Sequence, residues 1–130
     1  MRFLFLLMFS LLSNLAFSQT NITETLDLKK ETIIGEWVID LRPTPDAPPY
    51  YQSLKISEVD QKNFVGTFYG SPIKDALLNE NWGKLYFAFK TSDQNNTYFQ
   101  SGYINGDELI GVSYCPTRNF VIPWKGKRKK

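Results

Sequence analysis

The chain has no histidine and only one cysteine in 130 residues. Lack of histidine excludes Ser-His-Asp and Cys-His mechanisms and removes the commonest general base and metal ligand. A lone cysteine, Cys115, excludes an internal disulfide, the staple that small exported domains often use. Cys115 stands beside Pro116 at the end of a strand-like run and has no cation-rich neighbourhood in sequence, so it reads as a buried, inert thiol. There is no glycine-rich phosphate loop and no calcium-loop pattern. The carboxylates Asp40, Glu58, Asp60, Asp93, Asp107 and Glu108 fall mostly at turns, where solvation accounts for them. These absences predict a protein that is not an enzyme and needs neither metal nor cofactor.

Long apolar runs are scarce too. Phe3 to Leu12 is the main one, and it is shorter than the roughly 20 residues a membrane helix needs. Arg2 precedes it, and Ala16-Phe17-Ser18 places small residues before a cut. Residues 1–18 therefore read as a signal peptide, which leaves no membrane span once removed. Export without disulfides points to a bacterial periplasmic or extracellular protein. Without Arg2, the chain carries 14 basic and 13 acidic residues. Five of the basic ones, Lys125, Lys127, Arg128, Lys129 and Lys130, crowd at the end. Nucleic-acid binding calls for cations spread over a face, so the tail reads as a solvated chain end with no nucleic-acid partner.

What the chain has in quantity is aromatic residues, with seven tyrosines, three tryptophans and ten phenylalanines. Their setting is short alternating runs separated by turns. Residues 19–32 are polar apart from a few aliphatics and form a lead-in, either flexible or one helical turn that closes a barrel end. Trp37, Ile39 and Leu41 then share one face of a first strand. Arg42 to Pro49 holds Pro43, Pro45, Pro48 and Pro49 and must be a loop, since proline offers no ladder donor. Its length suits the guard of a barrel mouth. Tyr51–Glu58 and Phe64–Tyr69 form a hairpin across residues 60–63. Residues 70–81 fit no clean pattern and hold at most an irregular edge strand. Gly83–Lys90 is the clearest strand. Asn105-Gly106 predicts a type I′ hairpin, with Phe99, Ile110, Val112 and Tyr114 on the core face. Phe120 to Lys125 supplies the last strand. About seven to eight short strands in simple succession predict an all-β, antiparallel up-and-down barrel over residues 33–128.

Gly35-Glu36-Trp37, at the start of the first strand, resembles the Gly-x-Trp of lipocalins and the wider calycin superfamily. The repeated glycine-aromatic texture (Val65-Gly66-Thr67-Phe68-Tyr69-Gly70, Ser101-Gly102-Tyr103-Ile104-Asn105-Gly106, Leu109-Ile110-Gly111) is similar to small bacterial lipocalin-like and avidin-like barrels. The resemblance implies a structural role for Gly35 and Trp37. It also implies a basic residue near the last strand, Arg128 or else Lys125 or Lys127, packed across Trp37.

A barrel of this size either fills its interior or holds one small ligand. Trp37, Phe68, Phe87, Phe99, Tyr103 and Tyr114 are the candidate ligand-lining residues, and core packing is their other reading. The resemblance implies an exported binding protein for a small apolar ligand. A second reading is a protein-binding module such as a periplasmic protease inhibitor, with residues 19–32 as its trunk, although the disulfide of that group cannot form here. A third is a filled barrel in envelope assembly, with no dedicated ligand.

Overall fold

Alternation of inward and outward side chains along short strands builds the whole wall. The computed structural model describes residues 30–130. The signal peptide expected at 1–18 and most of the lead-in expected at 19–32 lie outside the described residues. Nine antiparallel strands follow: β1 (Gly35–Asp40), β2 (Tyr51–Asp60), β3 (Asn63–Phe68), β4 (Ser71–Pro72), β5 (Lys74–Asn79), β6 (Tyr86–Ser92), β7 (Thr97–Asn105), β8 (Glu108–Cys115) and β9 (Phe120–Arg128). They form one sheet in the order β4-β3-β2-β1-β9-β8-β7-β6-β5. β1 pairs with both β2 and β9, which rolls the sheet round. The two edge strands, β4 and β5, are one stretch of chain interrupted at Ile73, so the chain itself nearly closes the barrel.

Among the described residues the count is nine strands where the sequence predicts seven to eight. The extra one arises in residues 70–81, where the expected edge strand splits. Ser71 pairs with Phe68 and Pro72 with Thr67. Asp75 then takes a φ of 50°, and the register against β6 shifts between Lys74 and Leu77. Along this seam β3 and β5 share no ladder. Ile73 N–H donates to the Gly66 carbonyl at 3.0 Å and Leu78 N–H to the Lys62 carbonyl at 2.7 Å.

The two ends of the barrel differ. The end near Gly35 is packed shut. Ile33 N–H and Ile34 N–H bond back to the Lys30 and Glu31 carbonyls, forming a short turn across that end. Ile33 is fully buried there, and its carbonyl accepts the Trp37 indole N–H at 2.9 Å. Thus the described part of the lead-in, from residue 30, is a closing turn. Above it the interior is filled by Ile39, Leu54, Ile56, Phe64, Leu78, Leu85, Phe87, Leu109 and Trp124.

One cross-strand row explains how the middle closes. Phe87 pairs with Gly102, Gly102 with Gly111, and Gly111 with Trp124. Two bulky rings therefore flank two residues without side chains. A Cβ on Gly111 would lie 2.3 Å from the Trp124 ring. The rings use that space and stack with centroids 6.1 Å apart. Phe89 adds edge contacts to Phe64 and Phe68.

The β7–β8 hairpin departs from expectation twice. Asn105 pairs with Glu108, so the two-residue turn is Gly106-Asp107. Gly106 takes a φ of 63° as its first central residue, while Asn105 stays in the strand. That places glycine where a type II′ turn needs it and leaves no I′ turn. The face is also inverted. Phe99, Val112 and Tyr114 point outward and are exposed, and Gln100, Leu109, Ser113 and Cys115 point in. The interior at this level already holds Phe87 and Trp124, so the inward positions take small or polar residues.

Candidate functional site

At the other end the interior is not filled. A cavity of about 680 Å³ opens between the tops of the strands. Its walls are Leu41, Phe68, Tyr98, Phe120 and Ile122, with Tyr50, Tyr69, Pro43, Asp93 and Arg118 around the mouth. Its deepest lining comes from the row directly above the Phe87–Trp124 closure. In that row Phe89 pairs with Gln100, Gln100 with Ser113, and Ser113 with Ile122. Thr91, next inward along β6, lies diagonally above Gln100.

The floor is therefore polar although it is buried. Gln100, Ser113 and Thr91 are each 3–5% exposed. Ser113 Oγ donates to Gln100 Oε1, and Trp124 Nε1 donates to the same oxygen at 3.2 Å. An indole N–H can only donate, so the amide atom facing it must be the carbonyl oxygen. The Gln100 Nε2 donors are thereby left to the cavity side. Among the described residues no protein group bonds to Gln100 Nε2 or to Thr91 Oγ1.

The mouth is built by four pieces of chain. The proline-rich loop is tied down at both ends by Asp40. Its carboxylate accepts the backbone N–H groups of Arg42 at 3.1 Å and Tyr50 at 3.2 Å, and the Arg42 guanidinium from Nε at 2.8 Å. The Arg42 bonds come first in holding Asp40 below the ordinary aspartate value. Opposite, the turn between β6 and β7 wraps Asp93, which accepts N–H groups of Asn95 and Asn96. Those amides, then the Tyr98 hydroxyl at 3.0 Å, keep the Asp93 carboxyl low. Arg118 completes the rim from the β8–β9 turn. Its guanidinium lies 5.2 Å from the Phe120 ring centre and 3.3 Å from the Tyr98 hydroxyl, a bond that holds it charged. Tyr50 and Tyr69 meet edge to face and join their hydroxyls across the remaining gap.

The predicted lining residues are distributed unequally. Phe68 lines the cavity. Trp37 and Phe87 are buried inside but below it, in the packed half. Tyr103 is on the outer face, half-buried against Tyr86 and under Lys84. Phe99 and Tyr114 are also outside, 42% and 50% exposed, and pair with each other there. Sequence reasoning missed Thr91, Tyr98, Gln100, Ser113 and Arg118. The available signal was Tyr98-Gln100-Gly102-Ile104, one alternating face of β7 in which small and polar residues replace aromatics.

Gly35 and Arg128 lie at the closed end. Gly35 takes a φ of 135°. Arg128 covers the Trp37 ring and donates to the Ile34 carbonyl at 3.0 Å and the Thr32 carbonyl at 2.5 Å. Lys129 continues the chain, its N–H on the Glu36 carbonyl and its Nζ 3.3 Å from the Glu36 carboxylate. The basic tail is thus largely the end of β9 and not a loose extension.

Among the described residues no cluster of three or more His, Cys, Asp or Glu side chains could hold a metal ion. No helix there is long and apolar enough to cross a membrane. Compared with protein-family models, curated proteins and solved structures, the chain matches none.

Proposed function

We propose that this protein is an exported, lipocalin-like carrier that holds one small molecule of largely apolar body in its cup and performs no chemistry on it. The observation behind this reading is the 680 Å³ cavity. Its size falls in the ordinary range of small-molecule sites, roughly 300–1,000 Å³. Its walls are aromatic and aliphatic, its floor offers hydrogen bonds, and its one mouth is framed by anchored loops. Arg128 over Trp37 supports the lipocalin-like reading. Export rests on Arg2, the apolar run Phe3–Leu12 and Ala16-Phe17-Ser18.

Native mass spectrometry of protein purified gently from its own source tests the proposal. The expected result is a small extra mass that denaturation releases, on a chain that begins at Gln19. A bare chain that also takes up no small apolar probe would overturn it.

A second reading, a protein-binding module, is favoured by the outer face of β7–β9. Phe99, Tyr114 and Val121 form a cross-strand row there, with Val112 beside it, all exposed. Such contiguous apolar surface often marks a contact site. Tight uptake of a small probe, unchanged when Phe99 and Tyr114 are replaced by serine, separates the carrier from this module.

A further inference from the structure

The floor of the cup restricts the ligand further, on the reading that the cup is a ligand site. Gln100 and Thr91 are buried side chains with donors turned to the cavity. Gln100 Nε2 cannot satisfy itself by rotating the amide, because Trp124 Nε1 and Ser113 Oγ both hold the carbonyl oxygen in place. The strands hold the pair as well. Gln100 sits opposite Phe89 and Thr91 opposite Tyr98 on adjacent strands, so both donors reach the same part of the interior. Neither donor atom is shut away from the cavity, and with no protein acceptor both are placed to bond an acceptor on a ligand that enters it.

Charge selects among acceptors. The residues lining the deep part, Phe68, Thr91, Gln100, Ser113 and Ile122, carry no cation. Burying a carboxylate there would leave its charge uncompensated, which costs far more than the two hydrogen bonds return. Among the described residues the only cationic side chain on the cavity is Arg118, and it stands at the exposed mouth, already engaged with Tyr98. We propose that the ligand enters with a neutral carbonyl oxygen leading, and that Gln100 Nε2 and Thr91 Oγ1 donate to it at the floor. Its apolar body fills the space between Phe68, Phe120, Ile122 and Leu41. The ligand class is a neutral, one-ended amphiphile such as a ketone, ester, lactone or amide.

Matched probes test this without knowledge of the natural ligand. 2-Acetylnaphthalene and 2-ethylnaphthalene share shape and apolar area and differ in the carbonyl. The unliganded protein is expected to bind the acetyl probe about tenfold more tightly, the factor one good hydrogen bond gives. Gln100→Leu also strands Trp124 and Ser113, so Thr91→Val, which removes one hydroxyl with no protein partner, is the informative variant. It should lower acetyl-probe affinity severalfold and leave ethyl-probe affinity unchanged. Equal binding of the two probes by the wild-type protein would overturn the carbonyl assignment and leave the carrier reading standing. Tighter binding of 2-naphthoate than of either would overturn the neutral class. Binding of none of the three would overturn both this assignment and the carrier reading.

Discussion

Trp37 and Arg128 stand opposite each other in the β1–β9 ladder, and the guanidinium carbon lies 4.1 Å from the centre of the indole. One side chain thus joins the first and last strands and the turn below them. It covers the ring by a cation–π contact and bonds the Ile34 and Thr32 carbonyls. Arg128→Ala should cost about 2–3 kcal/mol: a cation–π contact of about 0.5–2 kcal/mol, plus two charge-assisted bonds that count for less than usual because one is part-buried and the other exposed. Arg128→Lys keeps the charge but not the fork, so its loss should be intermediate. Urea unfolding at unchanged m-value checks both.

Gly111 is held by the ring above it. Gly111→Ala puts a methyl 2.3 Å from the Trp124 indole, which has Phe87 on its other flank. Overpacking of this kind costs about 1–3 kcal/mol. Displacing Trp124 also breaks its bond to Gln100. Loss of melting temperature with a changed near-ultraviolet tryptophan signal is the expected result.

Aromatics inside and outside the wall should respond differently. Phe87→Ala opens the packed middle of the barrel and should cost about 3–5 kcal/mol. Phe99→Ala and Tyr114→Ala remove exposed rings and should each cost less than about 1 kcal/mol. Chemical denaturation of the three variants measures the contrast.

That contrast also marks what the sequence conveyed. Alternation around Trp37, Leu54 and Phe87 made the wall and its inward face legible, because one side of those strands is plainly apolar. It failed on β7 and β8, where the outward face carries Phe99, Val112 and Tyr114 and the inward face carries Gln100, Gly111 and Ser113. Hydrophobic pattern reports where apolar side chains alternate and is silent on which side is inside. Here the interior volume was already claimed by rings from β6 and β9. The cup floor was hidden for the same reason, since a cavity wall needs neither bulk nor apolarity. Residues 70–81 were unreadable because their break depends on Asp75 adopting a positive φ, which its local sequence does not announce.

Acid should destabilise the fold. Burial pushes Glu36 up, but bonds from Lys129 and Ser53 outweigh it and its carboxyl is held low. Asp40 is held low by Arg42, Asp75 by Lys90, and Asp93 by the amides of its turn. Each therefore has a lower pKa folded than unfolded. Their stabilisation is complete well above the ordinary values, 4.5 for Glu36 and 3.8 for the aspartates, and is lost as pH falls from there through the folded values. Melting temperature should fall modestly below about pH 4, because all four carboxylates are solvent-screened. Asp93→Asn should melt below the wild type at pH 7, and the two should converge at low pH.

The interruption at Ile73 gives the barrel a property that a fully laddered ring would lack. Backbone ladders fix the spacing between neighbouring strands at about 4.8 Å, so a closed ring has a fixed girth. In this wall one join is sutured by two contacts with unlinked backbone between them. Its circumference can yield there while every other strand pair keeps its register. On the carrier reading proposed above, slack in that one suture is where the cup would adjust to guests of differing bulk, with the polar floor and the Trp37–Arg128 end left undisturbed.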